Sequence, residues 1–98
     1  MKVRWTPTSK VTYLDVLSYL DENWTKKELQ NFVDTVEKVI SQIIAEPYMF
    51  EASKKKKNIR KGFVTKYNTL YYRIKPRKKE IELLAFWDNR QDPNKLRY

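Results

Sequence analysis

Between Leu29 and Ile44 the apolar residues Leu29, Phe32, Val33, Val36, Val39, Ile40, Ile43 and Ile44 recur without a break. Spacings of three and four residues put this whole set on one side of an α-helix. Such a stripe has to be covered, so the chain is committed to a layered fold in which something apolar faces it. Pro47 sets the end, because the residue before a proline avoids helical backbone, and the helix is expected to stop near Glu46. At the start, Thr25 and Glu28 have capping-box spacing, with Trp24 and Leu29 placed as a hydrophobic staple.

Upstream, Tyr13, Val16, Leu17, Leu20 and Trp24 repeat the helical spacing. Thr6 is suited to cap that helix, and Pro7 loses nothing at a first helical position. A helix is therefore expected at about residues 7–22, forming with the next one a hairpin that is apolar on one side. "KVRW" before it reads as a short strand with Val3 and Trp5 on one face.

Beyond Pro47 the period falls from 3.6 to 2. "PYMFEASKKKK" reads as a connector, and strands follow at Ile59–Thr65, "TLYYRIK" and "EIELLAFW". In the second, Leu70, Tyr72 and Ile74 oppose Tyr71, Arg73 and Lys75. In the third, strict alternation sets Ile81, Leu83, Ala85 and Trp87 against Glu80, Glu82, Leu84 and Phe86. Short turns make these an antiparallel meander. The third strand is apolar on both faces near its end, which places it inside the sheet. The expected fold is α+β, a single domain over residues 1–98 in the order β-α-α-β-β-β. Its helical hairpin packs on one face of a small, twisted, mainly antiparallel sheet.

Charge is divided unevenly along the chain. The net is +9; residues 1–46 carry six Lys or Arg against seven acids, and residues 47–98 carry fifteen against five. That asymmetry points to a polyanionic partner for the second half. The densest run, "SKKKKNIRKGF", holds Lys54, Lys55, Lys56, Lys57, Arg60 and Lys61. It can contact nucleic acid, contact an acidic protein, or serve as a solvated loop. Arg73 and Arg90 are further candidates for a two-pronged phosphate grip, or for ion pairs with Glu80, Glu82 or Asp88. Tyr71 and Phe86 are placed either to stack on a base or to fill the core.

Absent residues exclude other chemistry. Without cysteine there are no disulfides or thiolate metal sites, which suits a reducing compartment. Asp88 and Asp92 lack metal-ligand spacing, and neither a metal nor a cofactor is expected. No window is apolar enough for a membrane span, and no secretory signal is visible.

Several stretches, in this order, resemble the RelE/ParE superfamily of bacterial type II toxin–antitoxin toxins. They are the passage Trp5-Thr6-Pro7-Thr8-Ser9, the helical hairpin with its proline exit, the basic strand "NIRKGFV", and "LYYRI", which is similar to the family's L-V-Y-R-I. The closing "ELLAFWDNRQDPNKL" is similar to the ending of plasmid-stabilisation members. The resemblance covers nearly the whole chain. It implies a cytoplasmic toxin neutralised by a cognate acidic antitoxin protein, whose other end binds operator DNA. It also implies a target. The leading expectation is the ribosome and its mRNA, with this chain a metal-independent, ribosome-dependent endoribonuclease (an mRNA interferase). The alternative is a ParE-like inhibitor of DNA gyrase with no catalytic residues.

Metal-independent RNA cleavage needs a base for the 2′-OH, an acid for the leaving oxygen and cations around the phosphate. Histidine is absent. YoeB-like relatives close on a His-Tyr pair and carry an arginine before L-V-Y; here Thr69 stands before Leu70 and no His-Tyr follows. RelE-like relatives use lysines and arginines near the second strand, an arginine after the last strand and a closing tyrosine. Tyr98 is out of that register. Carried over by position, the catalytic candidates are Lys55, Lys57, Arg60, Lys61 and Arg90. The nucleic-acid-binding set adds Lys54, Lys56 and Arg73. All are expected to converge on one hollow.

Overall fold

The computed structural model describes residues 1–98. Strand β1 (Lys2–Trp5) leads into helices α1 (Pro7–Asn23) and α2 (Lys26–Ala45). Strands β2 (Glu51–Ala52), β3 (Ile59–Thr65), β4 (Asn68–Lys75) and β5 (Glu80–Asp88) follow. They form one sheet in the order β1-β5-β4-β3-β2. β1 runs parallel to β5 and every other pair is antiparallel. The helical hairpin thus carries the chain from β1 at one edge of the sheet to β2 at the other, and β5 is an interior strand as expected. No helix is long and apolar enough to cross a membrane.

Both caps form. The Thr6 hydroxyl accepts the Ser9 N–H (3.1 Å) and donates to the Leu83 carbonyl (2.8 Å), so one side chain starts α1 and ties it to β5. The Thr25 hydroxyl accepts the Glu28 N–H (3.3 Å). Trp24 is half-exposed at the end of α1 and does not join the core.

The core lies between the helices and one sheet face. From α2 it takes Phe32, Val36, Val39 and Ile43, and from the strands Val64, Leu70, Tyr72, Ile74, Ile81, Leu83 and Phe86. Gly62, the sole glycine, lets α2 close on β3; a Cβ there would lie 3.3 Å from Val39 Cγ1 and 3.4 Å from Ile43 Cδ1. A smaller cluster of Ile59, Tyr71 and Leu84 occupies the opposite face. Trp87, Leu96 and Tyr98 pack over it, so the C-terminal segment folds back across the sheet.

Two expectations need correction. Glu51 and Ala52 lie in the expected connector but pair with Lys61 and Arg60 as an edge strand. The strict alternation of β5 also fails. Tyr71 pairs with Ala85 and Tyr72 with Leu83, so Leu84 is an extra residue in a bulge. Past it the phase reverses: Phe86 joins Ile81 and Leu83 under the helices, and Trp87 moves to the opposite face.

Tyr72 is wholly buried, and its hydroxyl donates to the Pro47 carbonyl at 2.6 Å, fastening the end of α2 to β4. Replacing Tyr72 with phenylalanine leaves that carbonyl unpaired and should cost about 1–2 kcal/mol at neutral pH by chemical denaturation. Burial also pushes the Tyr72 phenol from an ordinary 10.0 up to about 12, against the opposing pull of Arg60, and raises Tyr13 and Tyr71. A raised phenol favours the folded state while it keeps its proton. That contribution is complete below pH 10 and is lost as pH climbs towards 12. Stability measured across that range should fall, and fall less steeply in Tyr72→Phe.

Candidate functional site

The nominated cations occupy three separate places. Arg60 and Lys61 are neighbours in β3, so the strand sends them to opposite faces. On the helix side, Arg60 Nη1 donates to the carbonyls of Tyr48 (3.0 Å) and Phe50 (2.6 Å), and its guanidinium lies 5.3 Å over the Tyr48 ring. Lys61 pairs with Glu51 at 3.3 Å. Arg60 therefore braces the connector between α2 and β2.

Arg90 sits at the far end of the sheet. Its Nε and Nη2 donate to Asp88 at 3.0 and 2.9 Å, and its backbone N–H donates there too. The side-chain bond from Arg90 holds the Asp88 carboxyl below its usual range, and the same bond raises Arg90. The guanidinium lies 4.6 Å from the Tyr67 ring and 5.9 Å from that of Tyr19. A groove of about 590 Å³ opens here between both helices, the β3–β4 turn and the end of β5. Tyr19, Trp24 and Tyr67 are exposed on its walls, above Val16, Leu20, Phe32 and Phe86.

The third place is the sheet end that carries the β4–β5 turn. Glu82 is buried there and takes Arg73 (3.2 Å), Lys75 (3.3 Å) and Arg4 together. Arg4 also reaches Glu80 at 3.1 Å. Lys54, Lys56 and Lys57 are exposed in the β2–β3 loop and enter none of the six ion pairs. Lys55 is turned away: its Nζ donates to the carbonyls of Leu96 (2.7 Å) and Pro93 (3.3 Å), and holds down the C-terminal segment.

The expected common hollow is therefore not formed. Arg60 pairs with Tyr72 and Asp88 with Asn68, which stand about 13 Å apart along β4 at roughly 3.3 Å per residue. Arg90 lies beyond Asp88, and each arginine is occupied by acceptors close at hand. Tyr71 and Phe86 are both buried, so neither offers a ring to a base. Tyr98 packs against Tyr71 with the rings tilted by 33° and their centroids 5.7 Å apart. Sequence reasoning overlooked Lys75, Arg77 and Lys78, which "KPRKK" announces by density alone, and the aromatic wall made by Tyr19, Trp24 and Tyr67.

No family model and no curated protein sequence matches the chain. Solved structures do match. One, from the chromosomal ParDE TA system of P. aeruginosa, has a TM-score of 0.64 over 90% of this chain and 95% of that chain, at 13% identity. Another, a YoeB/ParE toxin from Agrobacterium tumefaciens, has a TM-score of 0.65 over 91% of this chain and 99% of that one, at 14% identity. This chain has the ParE/YoeB toxin fold. At these identities the likeness concerns the backbone, and it extends over most of each chain. Which side chains act has to be argued from this chain's own surface.

Proposed function

We propose that this chain is the toxin of a toxin–antitoxin pair and that it arrests growth as a ParE-like inhibitor of DNA gyrase, by protein contact and without cutting RNA. The shared fold supports the toxin role. The observation that carries the non-cleaving reading is the separation of Arg60 from Arg90. A scissile phosphate needs its cations within about 3 Å of the same oxygens. These two arginines lie at different parts of the sheet, one holding backbone carbonyls and the other held by Asp88. No histidine is present to move a proton between them. By contrast, the groove walled by Tyr19, Trp24, Tyr67 and Arg90 offers the side chains that most often anchor protein interfaces. Partner segments, from the antitoxin and from the target, dock there.

Ribosome-dependent mRNA cleavage is the second reading, favoured by the cations gathered at the β4–β5 turn. Induction in cells followed by mapping of RNA ends and plasmid topology separates the two. Intact messages with trapped gyrase–DNA adducts are expected. In-frame cuts at A-site codons would overturn the gyrase reading in favour of the second, and undiminished growth on induction would overturn both.

A further inference from the structure

The β4–β5 turn and the start of β3 enclose a groove of about 420 Å³ whose lining includes Arg73, Lys75, Arg77 and Lys78 and no carboxylate. Its far wall is Asn58, in the left-handed region at φ 62°, which reverses the chain straight after the lysine run. The Asn58 carbonyl accepts the Ile74 N–H at 2.9 Å, so the register fixes the lysine loop beside the turn. Lys79, at φ 52°, closes the turn on the other side, and its carbonyl accepts the Lys2 N–H at 2.9 Å. Residues 54–57 and 73–82 together hold nine cations against two acids, leaving seven of the chain's nine surplus charges at one end of the sheet.

We infer that this end is a sequence-independent binding site for the phosphodiester backbone of a double-stranded nucleic acid. Arg73 and Lys75 are already oriented by the buried Glu82, and Glu82 with Glu80 cannot neutralise them together with Arg4. Arg77 and Lys78 are exposed and stand ready at the rim. None of the large exposed hydrophobic side chains lies on the turn or on the lysine loop. A protein partner would need such an anchor, and lysine is depleted at the centres of protein interfaces. Single strands are held largely by stacking on exposed aromatic rings, which this end lacks. What remains is a concave array of positive charge matched to closely spaced phosphates. The inference stands apart from the toxin reading, since binding is measured on the purified chain.

The test uses the full chain with a labelled 20-base-pair DNA duplex and an RNA duplex of the same sequence. With about four phosphates engaged, affinity should fall about 150-fold between about 50 and 200 mM salt. Arg77→Ala with Lys78→Ala removes two contacts without touching the core, and should flatten the logarithmic salt slope by about 1.8. Lys26→Ala with Lys27→Ala, an equal loss of charge at the start of α2, should leave the slope unchanged. Tighter binding of the DNA duplex assigns DNA as the source of the phosphates, and tighter binding of the RNA duplex assigns RNA. The proposal is overturned if neither duplex binds, or if the two double variants behave alike. Displacement of duplex by polyglutamate at equal charge would overturn it as well, because the site would then serve an acidic protein.

Discussion

Phe86→Ala is expected to cost about 3–5 kcal/mol, and Trp87→Ala only about 1–2 kcal/mol. Phe86 is 4% exposed, with its ring 5.1 Å from that of Tyr13 and 5.8 Å from that of Trp5. Tyr13 carries the contact on to Phe32 at 6.1 Å, so this run of rings joins β1, α1, α2 and β5. The Phe86 N–H donates to the Thr12 hydroxyl at 2.9 Å, which fixes α1 against the strand at the same point. Removing the ring leaves a cavity bounded by four elements, none of which can collapse alone. Trp87 is only half-buried on the opposite face, against a small cluster under the C-terminal segment. In a domain of this size each kcal/mol lowers the melting temperature by about 4–8 °C, so thermal unfolding separates the two variants clearly. Equal losses, or a larger one for Trp87, would mean that β5 keeps its phase and that the bulge at Leu84 is not present in solution.

That comparison also marks where the fold could be read and where it could not. The stripe on α2 was legible because its apolar residues come singly or in short adjacent groups separated by polar pairs, leaving a single helical phase; Phe32, Val36, Val39 and Ile43 are buried as the spacing requires. In β4, too, polar or amphipathic residues between Leu70, Tyr72 and Ile74 leave one assignment. Leu83-Leu84-Ala85-Phe86 is apolar at every position, so either phase satisfies it, and a bulge that exchanges them leaves no trace in the pattern. Strand β2 has two residues, too few for any period. The site was less legible for a different reason. Arg60 and Lys61 are adjacent in the chain and face opposite ways once a strand forms. Arg90, two residues after Asp88, satisfies that carboxylate locally, a pairing visible in "DNR" without any fold. The cations that do come together belong to a turn and to a distant loop, and only the β3–β4 register makes them neighbours.

Glu82→Gln should destabilise the fold while strengthening its hold on duplex. The carboxylate is 6% exposed and is the shared partner of Arg4, Arg73 and Lys75. Breaking a buried pair costs about 3–5 kcal/mol when the partner is left stranded. Here the three cations retain 48%, 36% and 28% side-chain exposure, so water screens much of their repulsion. A loss of about 2–3 kcal/mol follows by chemical denaturation, smaller than that of a fully enclosed pair. A double variant, Glu82→Gln with Arg73→Gln, should recover part of it, because one of the repelling charges leaves with its partner. The effect on binding has the opposite sign. Removing the carboxylate beneath the groove frees Arg73 and Lys75 for phosphate, and affinity for the DNA duplex should rise several-fold at about 50 mM salt, where screening is weakest. A purely structural role for Glu82 would lower stability and affinity together. Opposite movement of the two measurements in one variant is the signature of a carboxylate that both orients these cations and restrains them.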